Sequence, residues 1–314
     1  MKRATRLAVL VLCLDLSPIT HGQAVVQAPA GYPALGEPPR ITVISTGTEP
    51  RQALRYVVPS GYRAHMNMDM TMGMTMSMAG QSMPLTGLPP MRLGADMAVT
   101  GVSPAGDIAY SMAFTGMGFP KTDGLDPAAL APLDALTADI KSIAATATLS
   151  SRGINRDLHV DTSKVSNPQF SQMMDSMTNS LNGISMPFAE EPVGIGARWE
   201  VRQALASVGV TMWQKVDCEV AALDSRSATL KITLAQTAPS QPMKNPNLPP
   251  GAEMTIDTLT GTGSGTMSVP LDGLVPTSEM NNKITMVVST TVGGARQQMT
   301  METTLKLLVA PGKN

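Results

Sequence analysis

Apolar and polar residues alternate with a period of two along most of this chain. The densest case is the stretch HMNMDMTMGMTMSM. There Met66, Met68, Met70, Met72, Met74, Met76 and Met78 take every second position, and Asn67, Asp69, Thr71, Gly73, Thr75 and Ser77 take the others. Successive side chains of a strand point to opposite faces, so the pattern predicts a strand with one apolar and one polar face. Extended, it would cover roughly 40 Å, about twice a typical strand. Such a strand belongs to a large curled sheet or bends, and Gly73 is the cheapest place for a bend.

The alternation recurs at Leu93, Ala95, Met97 and Val99. After the turn SPAGD it resumes at Ile108, Tyr110, Met112 and Phe114. It continues through Ile143, Ala145, Ala147 and Leu149, turns at Arg152-Gly153, and runs on to Ile154, Leu158 and Val160. Further on, Trp199, Val201 and Leu205 alternate with Arg198, Glu200 and Arg202, and Val210, Met212, Val216, Cys218 and Val220 share a face. Leu230, Ile232 and Leu234 follow; then Ile284, Met286, Val288 and Val292 lead through Gly293-Gly294 to Met299, Met301, Leu305, Leu307 and Val309. Long strands with one buried face, joined by short turns, predict antiparallel pairing. Two β-rich halves emerge, about 53–162 and 190–310, within one domain spanning 53–311.

Two stretches break the alternation and read as helices. Asp126-Pro127 supplies a cap and a first-turn proline for a segment at 127–141. Asn167-Pro168 does the same for 168–182, where Phe170, Met173, Met174, Met177 and Leu181 form a helical stripe ended by Gly183. The expected fold is therefore mainly β (α+β): a large curled antiparallel sheet, or two related sheets, covered by two helical segments.

The amino terminus reads as an export signal. Lys2, Arg3 and Arg6 precede the apolar LAVLVLCL, and Gly22-Gln23-Ala24 offers a cleavage site near Ala24. Leu12 before Cys13 does not fit the small residue that lipid attachment needs, so no lipid anchor is expected. Residues 25–52, rich in Pro, Gly and small side chains, read as a flexible linker. No later apolar run reaches the roughly 20 residues of a membrane helix.

Export leaves Cys218 as the sole cysteine of the mature chain, so stability rests on a core and not on an internal disulfide. Removing Lys2, Arg3, Arg6 and Asp15 leaves 20 basic and 23 acidic residues, a net −3 that gives no electrostatic reason to expect nucleic acid. Aromatic residues are only 3% of the chain while methionines number 25, so Met does the work that Phe and Leu do elsewhere.

Thioethers favour Cu(I), which makes His65, Met66, Met68, Met70 and Met72 a candidate copper(I) set. A core role accounts for more: Met also stands in apolar phase at Met97, Met112, Met212, Met286, Met299 and Met301. Burying seven Met at about 1.5–3 kcal/mol each is worth roughly 10–20 kcal/mol gross, more than a typical net stability. A methionine face is also soft and adapts to irregular partners. Met66 to Met78, with Phe170, Met173, Met174 and Met177, are thus the candidate lining of a hydrophobic-ligand site.

Asp157, His159 and Asp161 fall on one polar face, as exposed alternation often produces. Cys218 stands in apolar phase and reads as an inert core residue. GTGSG (261–265) lacks the Lys-Ser/Thr ending of a phosphate loop and reads as a bulge or a close backbone approach. No nucleophile–base motif is present, and the expectation is a protein that is not an enzyme and carries no cofactor.

The stretches LRYVVPSGYRAHMNMDMTM, PVGIGARWEV and GTGSGTMSVPLDGLVPTSEM together resemble a family of uncharacterised exported bacterial envelope proteins, often lipoproteins, that share a domain of unknown function. The likeness covers about 53–309 and implies no activity and no site residues. Long strands with covering helices are similar, at the level of fold alone, to periplasmic lipoprotein-carrier and lipid-carrier half-barrels. The expectation is a periplasmic or extracellular protein that binds a hydrophobic ligand or lipidated partner. Cu(I) binding and a structural role with a filled core are the alternatives.

Overall fold

The computed structural model describes residues 27–78, 81–85, 90–119, 139–165, 187–207, 210–243, 252–292 and 294–312. In chain order its strands are β1 (Arg40–Ser45), β2 (Arg63–Met78), β3 (Gln81–Leu85), β4 (Met91–Val102), β5 (Ile108–Gly118), β6 (Ala144–Leu149) and β7 (Asn155–Asp161). They continue with β8 (Arg198–Ser207), β9 (Val210–Leu223), β10 (Ser227–Ala238), β11 (Gln241–Pro242), β12 (Glu253–Pro270), β13 (Thr277–Val292) and β14 (Ala295–Pro311). All belong to one antiparallel sheet in the order β1-β8-β9-β10-β12-β13-β14-β2-β4-β5-β6-β7, with β11 beside β12 and β3 beside β2. The two halves are therefore one sheet, joined where β14 pairs with β2 from Met299↔Met78 to Pro311↔Met66.

Local turn chemistry explains the hairpins. In SPAGD, the N–H of Gly106 donates to Ser103 O (2.9 Å) and the N–H of Ser103 to Asp107 O (2.8 Å), with Gly106 at φ 84°. The Ser150–Ile154 turn repeats the scheme around Gly153. Strand β2 runs through Gly73 without a register shift against β14, so the long strand is absorbed by the large sheet. Its other edge changes partner there, from β4 (ending at Met70↔Met91) to β3 (starting at Met74↔Leu85).

Three expectations need correction. The stretch 25–52 is not all linker, because Arg40–Ser45 pairs with β8 as an edge strand and Gln52 bridges Val193. The six-residue RITVIS run is short enough to be hidden by the Pro and Gly around it. The two helical segments are not borne out: 168–182 lies outside the described residues, and of 127–141 only 139–141 are described, as a single helical turn. GTGSG holds no bulge; Gly261, Gly263 and Gly265 pair in register with Ile284, Asn282 and Met280. The close-approach alternative is what the strand uses. A Cβ on Gly263 would collide with Asn282 Oδ1, and one on Gly265 with Glu279 O and the Met280 sulfur. Glycine lets the β13 side chains lie across β12.

The main core covers one end of the apolar face. Trp199, Val201, Val216, Cys218, Val220, Leu230 and Ile232 are buried beneath Leu54, Phe188, Ala189 and Val193. The Trp199 indole N–H donates to Pro187 O (3.0 Å), and Tyr56 stacks on Phe188 at 5.1 Å. Gly194 lets the two covering loops meet, since any Cβ there would run into Thr48 O. Smaller clusters form around Ile256 and Val288, around Val99 and Ile108, and around Ile143 and Met117. Among the described residues no helix is long and apolar enough to cross a membrane.

Candidate functional site: the methionine ladder

Register places the seven methionines on one face and shows what surrounds them. Directly opposed residues of an antiparallel pair share a face. Met68 faces Val309 on one side and Leu93 on the other; Met70 lies between Leu307 and Met91; Met66 faces Ala95. Met72 faces Leu305, Met76 faces Met301 and Met83, and Met78 faces Met299. The ladder extends onto β13 through Met280 and Met286, which pair with Leu307 and Met301. Unlike the Trp199 region, it is only half-buried from Met66 to Met76, and Met78 is 45% exposed. Phe170, Met173, Met174 and Met177, expected to complete the lining, lie outside the described residues.

The opposite face is a ladder of charges. Arg92 makes a two-point contact with Asp69, with Nη2 donating to Oδ2 at 2.6 Å, and holds its carboxyl below the usual range through that hydrogen bond. Lys306 meets Glu279 (2.7 Å) and Lys283 meets Glu302 (3.4 Å). Lys215 lies between Asp217 and Glu200, and Glu219 between Arg198 and Lys231. An open depression of about 640 Å³ crosses β2, β14, β13 and β12 at Gly73 and Gly263. Most of its side chains belong to this polar face, including Thr71, Thr262, Ser264 and the two paired lysines.

One member of the candidate copper set, His65, stands apart from the four methionines. His65 stands opposite Asp96, and its Nδ1 is 2.6 Å from Asp96 Oδ1. That pair lies on the polar face, one residue out of phase with Met66, Met68, Met70 and Met72. The period of two therefore separates the imidazole from the thioethers. Asp157, His159 and Asp161 do not act together either. A bulge in β7 between Arg156 and His159, opposite Thr146 and Thr148 of β6, interrupts their strand, and Asp157 has φ 54°. Among the described residues no three His, Cys, Asp or Glu side chains gather at one point. Cys218 is buried, and burial, then the nearby Asp217, push its thiol up to about 12. Such a thiol stays protonated and unreactive at neutral pH.

Two features escaped the reading of the chain. Asp257 is the extra residue of a β12 bulge. It accepts from Ser289 Oγ (2.6 Å), Arg296 Nη2 (2.8 Å) and Gln298 Nε2 (3.0 Å), which pins the β13–β14 hairpin to β12. The second is a set of amides in apolar phase: Gln203 between Val201 and Leu205, Gln214 between Met212 and Val216, Gln236 between Leu234 and Ala238, and Asn282 between Met280 and Ile284. A polar residue at an apolar position is a signal visible in the sequence, but only cross-strand register shows that the three glutamines stand side by side, with Asn282 two strands further on. No protein-family model matches the chain, and no curated protein matches it.

Proposed function

We propose that this is an exported, non-catalytic envelope protein that holds a hydrophobic ligand, a lipid or a lipidated partner, on its methionine-lined face. The observation that carries the reading is the contrast between the two faces. One bears paired charges suited to water; the other bears a half-buried, uncharged ladder from Met66 to Met78 that continues onto β14 and β13. Unbranched thioether side chains repack around partners of irregular shape at little cost, which is what acyl chains require. A curled sheet that cups such a ligand is the finer form of this proposal. Export rests on the basic and apolar run before Ala24.

Native mass spectrometry of the protein, purified without detergent from copper-supplemented cells, tests this reading. An adduct of lipid mass that is lost when the ladder residues are replaced by charged ones supports it. A bare protein that also fails to take up an added apolar probe sinks it. A copper-mass adduct abolished by Met→Leu changes at 66–78 replaces it with thioether metal binding.

A further inference from the structure

The apolar face is crossed by a polar belt. Gln203, Gln214 and Gln236 stand directly opposite one another on β8, β9 and β10. The row continues through Gly261, Ile284 and Thr303 to Met74 in the ladder. Asn282 lies two residues along β13 from Ile284, over Gly263. Its Oδ1 is buried and has no hydrogen-bond partner. Gln203 is 4% exposed. The belt separates the Trp199 cluster from the cluster around Ile256 and Val288.

Two physical facts give this belt a meaning. Burying an amide oxygen without a partner costs free energy, as at Asn282 Oδ1, and leucine would fit the alternation at each of the four positions. Among the described residues of β2, β8, β9, β10, β12, β13 and β14, no charged side chain shares the face. An ionised group placed there would lose its hydration and meet no counter-charge on these strands. An uncharged group that both donates and accepts matches carboxamides, which also do both.

We propose that the belt receives the neutral hydrogen-bonding head of an amphiphile, a hydroxyl or amide group, while its apolar chain lies along the methionine ladder. This rests on the reading of that ladder as a ligand-holding surface. The half-buried Gln214 and Gln236 hydrogen-bond the head, beside Asn282, whose Oδ1 lies over Gly263 next to them.

Displacement of an apolar fluorescent probe by three compounds of equal chain length tests the proposal: monooleoylglycerol, oleate and 1-octadecene. Monooleoylglycerol is expected to compete at roughly tenfold lower concentration than oleate, the effect of one or two hydrogen bonds plus the avoided burial of a charge. In the double variant Gln214→Met, Gln236→Met that advantage should shrink to about threefold or less, with competition by octadecene unchanged. Both changes conserve volume on half-buried positions, and an unaltered melting curve verifies the fold. Oleate competing as well as monooleoylglycerol, or an advantage that survives in the variant, overturns the belt's role and leaves the ladder reading standing. A probe that never binds, with octadecene equally inert, overturns both.

Discussion

Two parts of one apolar face are built from different residues and covered to different extents. Around Trp199 the side chains are aromatic or branched, and the largest of them are no more than 1% exposed beneath the loops carrying Leu54, Phe188 and Val193. Around Met70 they are unbranched thioethers, half-buried, with Leu305, Leu307 and Met301 as neighbours. A fixed cover rewards rigid shapes that interlock, because each lost contact leaves a void. A variable cover rewards side chains that change rotamer cheaply. The first region is thus the more tightly packed part of the face, and the second is the part to which the proposed function assigns the ligand.

The sharpest way to break this contrast is truncation in the packed region. Trp199→Ala is expected to cost about 3–5 kcal/mol, read as a drop in urea midpoint, since it leaves a cavity and strands Pro187 O. A cost no larger than that of ladder substitutions would erase the distinction. Next comes the seam between the regions. Gly265→Ala forces a Cβ into the Glu279 carbonyl and is expected to cost about 2 kcal/mol or more. Gly118→Ala meets nothing within 4 Å and should stay within about 0.5 kcal/mol.

Alkaline pH should strain the packed region first. Burial raises the Cys218 thiol from 9.0 to about 12, and burial raises the Tyr56 hydroxyl in the same direction. The folded state binds the Cys218 proton more tightly than the unfolded chain does. Its contribution is therefore full below pH 9 and is lost progressively between about 9 and about 12, on the order of 1 kcal/mol per pH unit. Denaturation series across that range should show the slope, and Cys218→Ala should flatten it.

In the ladder, Met70→Leu or Met72→Leu should change stability by less than about 1.5 kcal/mol, because volume is conserved and the site is half-buried. A larger loss would mean that these methionines are as tightly packed as Trp199. The smallest effect belongs to the charged face. Asp69→Asn breaks the pair with Arg92, and the loss should shrink with added salt. Arg92 lowers the Asp69 pKa, so the pair's contribution is present above the usual carboxylate range and fades as pH falls through the lowered value.

The alternation of residues determined much of this molecule by itself. It divided residues into two faces, marked the turns at 103–107 and 150–154, and identified Met as the working apolar residue, because strand geometry and turn chemistry are local. Sequence did not reveal which strands meet. That β14 closes against β2, that Arg40–Ser45 leaves a Pro-rich stretch to pair with β8, and that Gln203, Gln214, Gln236 and Asn282 form one belt depend on pairings between residues distant in the chain. His65 marks the boundary between the two kinds of knowledge: its phase, one residue from Met66, already put it on the polar face. Only the tertiary structure supplied Asp96 as its partner, because a hydrogen bond between neighbouring strands is fixed by register, and register is set by the whole sheet.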